Sequence, residues 1–284
     1  MKRFIAIAMW LCTAQAAQSD AVFVGSFVWN DPRDDFGGIS AIHLSDTGRD
    51  FIAVSDSGYT TFGQLIRTEG RITGVAAGPL QPLQNLIGKP VSGKAADAEA
   101  IAVSPTGTVF VAFEGNTRIR RYEDLNGPAS NIPSPREFRG MQANGSLEAL
   151  AIDKDGNLYT IPERSGRQGW PFPVYRFRNG QWDVVFEIAR RGAFVIVGAD
   201  IGPDGLLYVL ERDFSGFGFR TRLRRMALDG SGEDVLLQTT VRVHDNLEGI
   251  SVWHDGTHLR ITLVSDNNFR RFQQTEIVEY RITD

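Results

Sequence analysis

One pattern, recurring about every fifty residues, constrains this 284-residue chain more than any other feature. Three segments align directly. Glu99-Ala100-Ile101-Ala102-Val103 precedes Thr106-Gly107, Glu148-Ala149-Leu150-Ala151-Ile152 precedes Asp155-Gly156, and Glu248-Gly249-Ile250-Ser251-Val252 precedes Asp255-Gly256. Their glutamates stand 49 and then 100 residues apart, one period followed by two. The intervening copy runs over 198–201 ahead of Asp204-Gly205. A first copy, Gly37-Gly38-Ile39-Ser40-Ala41-Ile42, precedes Thr47-Gly48. After each glycine turn comes a second apolar strand, at 51–54, 109–113, 158–161, 206–210 and 259–264. Third strands are expected at 118–122, 174–177, 222–227 and 276–282, and fourth strands at 184–188 and 235–239. Period-two alternation between Asp-Gly turns is the hairpin signature, and helical periodicity is almost absent.

Four antiparallel strands per unit, repeated at this length, specify an all-β fold, a β-propeller. The expected count is five four-stranded blades. A sixth is the alternative if 70–98 conceals a degenerate unit. Residues 248–284 supply three strands only, so the unassigned strand at 22–29 is expected to complete the last blade and close the ring. An open sandwich with coincidental spacing would leave those edges bare.

Ahead of the repeats, 1–17 has the order of an export signal: Lys2 and Arg3, an apolar run over 4–11, then small residues around Ala14-Gln15-Ala16. That run is too short to span a bilayer, and no later stretch suggests a span. Cleavage would remove Cys12, the only cysteine, and leave a single domain over 18–284 with no disulfide or thiolate chemistry. A monomer in the periplasm or outside the cell is expected. Without Lys2 and Arg3 there remain 28 basic against 34 acidic residues, which argues against nucleic acid as a partner.

In a propeller the start of strand one and the end of strand two of each blade meet on one face near the axis. Here both places are acidic. Strand-one starts carry Asp97, Glu99, Glu148, Asp200 and Glu248; strand-two ends carry Asp56, Glu114, Glu163, Glu211 and Asp266. Such crowding requires protonation, arginine partners or a cation. Arg164 and Arg212 follow two of the glutamates, and Asn116, Asn144, Asn246, Asn267 and Asn268 add neutral oxygens. Oxygen ligands without cysteine suit Ca²⁺, with Mg²⁺ second, rather than Zn²⁺. The plainer alternative is that these carboxylates only accept backbone hydrogen bonds between blades. No Gly-x-Ser-x-Gly elbow is present, and of the four histidines only His244 is placed near this face, so a serine triad is disfavoured.

These motifs resemble the esterase-like phytase (phytase-like domain) family of bacterial exported proteins. The resemblance rests on Gly37-Gly38-Ile39-Ser40, Ser55-Asp56-Ser57-Gly58, Asp97-Ala98-Glu99-Ala100-Ile101, Glu114, Leu147-Glu148-Ala149-Leu150, Glu163-Arg164 and Leu210-Glu211-Arg212. Its most specific parts are Asp245-Asn246-Leu247-Glu248-Gly249 and Ser265-Asp266-Asn267-Asn268-Phe269 with Gln274-Thr275. It implies hydrolysis of a small-molecule ester or phosphate ester at a calcium-binding mouth. Glu99, Glu148 and Glu248 would then be catalytic, as ligands or bases on the channel wall. Asp56, Asp97, Glu114, Glu163, Glu211 and Asp266 would serve the metal, and Arg164, Arg212, Asn246 and Asn268 the substrate. The fourth repeat departs from the pattern, with Val197 in the place that Glu148 holds in the third. Two alternatives stay open: a non-catalytic propeller that binds a ligand, glycan or protein through the same mouth, and a purely structural ion site.

Overall fold

The turn glycines Gly48, Gly107, Gly156, Gly205 and Gly256 all lie at φ between +64° and +93°, the left-handed conformation that a tight hairpin requires. Around them the computed structural model, which describes residues 20–33, 35–141 and 145–283, forms five antiparallel sheets. The expected export signal and Asn144 lie outside the described residues.

Strand β1 (Asp20–Val28) precedes the first repeat. Blade one contains β2 (Ile39–Leu44), β3 (Asp50–Ser55), β4 (Tyr59–Thr68) and β5 (Arg71–Ala77), with a two-residue β6 (Gln81–Pro82) beside β4. Blade two contains β7 (Ala98–Val103), β8 (Val109–Phe113), β9 (Arg118–Tyr122) and β10 (Ser130–Asn131). Blade three contains β11 (Leu147–Ile152), β12 (Leu158–Pro162), β13 (Phe172–Arg178) and β14 (Gln181–Ile188). Blade four contains β15 (Val195–Ile201), β16 (Leu207–Phe214), β17 (Phe219–Met226) and β18 (Asp234–Gln238). Blade five has β19 (Leu247–His254), β20 (Leu259–Ser265) and β21 (Glu276–Thr283), and β1 is its outermost strand. The sixth-blade alternative falls: the stretch 70–98 supplies β5, β6 and the approach to β7, all attached to blades one and two.

The innermost strands β2, β7, β11, β15 and β19 each contact the next, and β19 returns to β2, so the ring is closed. Closure rests on β1, paired with β21 from Asp20↔Thr283 to Val28↔Glu276. Five apolar clusters fill the five gaps between neighbouring blades. The closing one packs Trp29, Ile39 and Phe51 of the first repeat and its approach against Trp253, Val264 and Ile277 of the fifth.

Every inner hairpin carries a register shift at the same position. The residues skipped are Ser40, Glu99, Glu148, Val197 and Glu248. A bulge of this kind re-aims the side chain of the extra residue. The residue after it is always small: Ala41, Ala100, Ala149, Gly198 or Gly249. A Cβ on Gly198 would lie 2.5 Å from the Glu248 carbonyl oxygen, and one on Gly249 would lie 2.9 Å from the Ala41 Cα. The Glu-Ala/Gly pattern in the sequence is therefore a bulge followed by a point where backbones of adjacent blades nearly touch. Gly249→Val should lower unfolding stability by about 1–3 kcal/mol, because the added side chain meets both the Val264 side chain and the Ala41–Ile42 backbone, which cannot turn aside. A urea-denaturation midpoint equal to wild type would contradict this contact.

Candidate functional site

The bulges and strand-two ends build three successive rings at one mouth of the channel. Two residues before each bulge stand Gly38, Asp97, Ser146, Val195 and Asn246. The bulge positions hold Ser40, Glu99, Glu148, Val197 and Glu248. The strand-two ring holds Asp56, Glu114, Glu163, Arg212 and Asp266. Its equivalence is visible in one repeated backbone bond: the N–H groups of Asp56, Glu114, Glu163 and Asp266 donate to the carbonyls of Gly38, Asp97, Ser146 and Asn246 at 2.8–3.0 Å. In blade four, Arg212 pairs with Val195 at the same level.

A cavity of about 1350 Å³ opens here. It is lined by Asp56, Asp97, Glu99, Glu114, Glu148, Glu163, Arg164, Arg212, Asn246, Glu248, Asp266 and Asn268 among others. Two expected members are elsewhere. Glu211, proposed from sequence as a metal ligand, is one register position short of the ring: it pairs with Ile196, level with Ser55, Phe113, Pro162 and Ser265. Its side chain is buried inside blade four between Arg222 and Arg224, at 2.5 Å from each. Asp200 is paired near the far end of β15, opposite Tyr208, and accepts the Val252 N–H of blade five at 2.7 Å.

Within the mouth the groups divide into two halves. In blade two, Asp97, Glu99 and Glu114 bring carboxylate oxygens within 4.8 Å of one another. Glu114 accepts the N–H groups of Gly145 and Ser146, the latter at 3.1 Å. Burial, then Glu148 and Glu248, push the Glu99 carboxyl well above the ordinary carboxylate range. Three clustered hard-oxygen donors of this kind, with no nitrogen or sulfur among them, fit a calcium-like cation.

On the other side Arg212 acts as a built-in cation. It donates to Asn246 Oδ1 at 2.6 Å, to Glu248 Oε1, and to Glu163 Oε1 at 3.3 Å. Burial opposes its charge, yet Glu248, Glu148 and Glu163 hold its pKa above the usual value. Arg164 uses Nε on Glu163 at 3.0 Å, and half of its side chain remains exposed. Glu148 accepts no protein hydrogen bond among the described residues. Burial, then Glu163, raise its carboxyl well above the usual range, with Arg212 opposing. Asp266 is pushed up to about 8 by burial and then by Glu248.

The Gly37-Gly38 motif has a local cause. Asn267 Oδ1 accepts the Gly38 N–H at 3.0 Å, and a Cβ on Gly38 (φ +62°) would strike Asp56 and Phe269. The loop of blade five thus packs against the start of blade one beside Asp56. Asn268 and Phe269 are themselves left-handed, at φ +47° and +51°, held by the Asp266 and Asn267 side chains.

A family model described as phytase-like, esterase-like activity of phytase, matches residues 34–269. The chain belongs to the phytase-like family. No curated protein matches it. Among solved structures it is similar to the PQQ-bound aldose sugar dehydrogenase of Streptomyces coelicolor, with a TM-score of 0.53 at 14% identity, over 94% of this chain and 99% of that one. It also aligns with a catalytically inactive virginiamycin B lyase of Staphylococcus aureus solved with quinupristin, with a TM-score of 0.45 at 12% identity, over 91% and 99% of the two chains. At 14% identity the likeness to the dehydrogenase carries the fold and nothing about chemistry.

In this phytase-like chain, sequence reasoning missed Arg212 as a ring member, although a signal was available. Counted from the turn glycine, Glu114, Glu163 and Arg212 are each the seventh residue, and Glu211 is the sixth. Asp200 has a different role, pinning blade four to blade five. Burial raises its carboxyl to about 7, with the Val252 and Ile201 N–H groups opposing. A carboxyl raised on folding costs no stability below its unfolded pKa near 4. It weakens the fold progressively as pH climbs toward 7, and by a constant amount above that. Asp200→Asn should therefore flatten the pH dependence of unfolding free energy between pH 4 and 7 relative to wild type. Parallel curves for the two proteins would contradict this.

Proposed function

We propose that this chain is a metal-assisted hydrolase of small-molecule phosphate esters or carboxylesters, working in the periplasm or outside the cell. The observation that carries it is the Asp97, Glu99 and Glu114 cluster, set beside carboxyl and guanidinium groups that can handle a proton and a substrate anion. Asp97, Glu99 and Glu114 would hold the ion, with Asp56 and Asp266 on the adjoining ring. Glu163 and Glu248 are committed to Arg212 and serve to orient it. When bound, calcium would neutralise substrate charge and make a water more acidic.

The remaining work falls to the chain's own side chains. Glu148, lacking a protein hydrogen bond among the described residues and biased toward its neutral form by burial and then by Glu163, suits proton exchange with water. Among the described residues Arg164 pairs with Glu163 through Nε alone, which leaves both terminal nitrogens for a substrate oxygen. Arg212, fixed by three acceptors, offers a preorganised positive charge at the wall. Membership of the phytase-like family supports an ester substrate, and among the described residues no helix is long and apolar enough to cross a membrane.

The test is a panel of aryl phosphates and carboxylesters assayed with calcium and with a chelator. Turnover should require the metal, and Glu148→Gln should lower kcat by about 10²–10⁴-fold with a modest change in KM. No metal-sensitive turnover on any member would contradict the proposal. Intact ligand binding without turnover would favour a non-catalytic propeller.

A further inference from the structure

Among the described residues, blade four alone places no acid in any of the three mouth rings. Its three positions hold Val195, Val197 and Arg212, whereas the bulge holds glutamate in blades two, three and five and the strand-two ring holds an acid in all four other blades. Beyond Arg212 its β16–β17 hairpin carries Phe214, Phe217 and Phe219, and all three line the mouth. Phe217 at the tip is 86% exposed and Phe214 is 61% exposed. From blade five, Phe272, 78% exposed, joins the same rim. Large apolar groups this exposed and this close together mark a contact surface.

The presenting segments are anchored. Phe214 and Phe219 stack at 5.0 Å, the Arg212 guanidinium lies 5.8 Å from the Phe219 ring, and Ser215 bonds back to Gly218 across the tip. Phe272 follows a turn closed by Arg270 N–H on Asn267, and Gln274 N–H donates to Asp245 at 2.8 Å. Arg270 and Arg242 stand among the phenylalanines as rim cations.

The ring order gives this rim a direction. In a closed ring of five, the blade four–blade five boundary lies opposite blade two, which holds Asp97, Glu99 and Glu114. A ligand across the mouth therefore meets a carboxylate cluster on one side and phenyl rings with arginines on the other. We propose that the substrate is an amphiphilic anionic ester: its ester group faces the blade-two carboxylates and their cation, and its acyl, alkyl or aryl group lies on Phe214, Phe217 and Phe272. This builds on the hydrolase function proposed above and narrows its substrate class. A compact, multiply charged polyol ester would leave the phenyl rim in water and gain nothing from it.

The test uses two non-hydrolysable ligands, methylphosphonate and octylphosphonate, titrated calorimetrically into the full chain with calcium present. Octylphosphonate should bind at least about tenfold more tightly, the return from burying roughly two methylenes. In the Phe217→Ala/Phe272→Ala double variant the preference should collapse toward one, with methylphosphonate affinity unchanged. Both positions are exposed, and an unchanged melting temperature would verify the variant's fold. Equal affinities in wild type, a preference retained in the double variant, or binding of neither ligand would overturn the inference. Chain-length dependence of KM on carboxylesters separates the two levels. Turnover indifferent to chain length would leave the hydrolase function standing and remove the apolar rim from it, whereas octylphosphonate selectivity without any turnover would do the reverse.

Discussion

Repulsion among the carboxylates of one channel mouth is the constraint on which this structure turns. Asp56, Asp97, Glu99, Glu114, Glu148, Glu163, Glu248 and Asp266 line a single cavity, and several are pushed toward their neutral forms by burial and by one another. A chain does not converge so many acids unless the scaffold holds them there. The scaffold here is a ring without a disulfide, closed by β1 on β21 and by five apolar slabs between blades. Inner strands approach so closely that a Cβ on Gly198 or Gly249 would clash, and the other three bulges are followed by alanine. That closeness delivers the acids to the axis and makes their mutual repulsion large.

Two devices relieve the crowding, and they divide the mouth. Arg212 neutralises the Glu163 and Glu248 side from within. Among the described residues, no guanidinium is hydrogen-bonded to Asp97, Glu99 or Glu114, and the proposed external cation would be the complement on that side. Blade four is the odd member: it supplies the internal cation, a valine at the bulge that holds glutamate in three other blades, and Phe214, Phe217 and Phe219 of the rim. The loss of symmetry turns a uniform acidic ring into a site with a polar end and an apolar end. Glu211 shows the same economy in another place. Displaced from the mouth by one register step, it anchors Arg222 and Arg224 inside the blade instead.

The repeat made most of the fold legible from sequence, including the N-terminal closing strand, because period-two strands and glycine turns leave periodic traces. Blade number was ambiguous only where the outer part of blade one, over 70–98, has long and irregular connections. The acidic mouth was equally legible, since propeller geometry puts strand-one starts and strand-two ends on one face. Sequence places Glu211 in the strand-two ring, whereas its neighbour Arg212 holds that place, because adjacent residues in a strand face opposite ways and a one-residue register choice exchanges them. The bulge that aims Glu99, Glu148 and Glu248 inward leaves no residue-type signature beyond the small residue behind it. Asp200 was misplaced for a related reason: three positions along a strand is too far to substitute for the missing acid at Val197.

The central claim is that the blade-two carboxylates are held together against their own repulsion and are completed by a cation. Thermal unfolding of wild type and Glu99→Gln, with and without calcium, tests it most directly. Neutralising one crowded acid should raise the melting temperature in the absence of calcium, and it should weaken or abolish the further rise that calcium produces in wild type. A variant that is less stable without calcium, or that keeps the full wild-type response to calcium above about 1 mM, the weak end of extracellular calcium modules, would contradict the account.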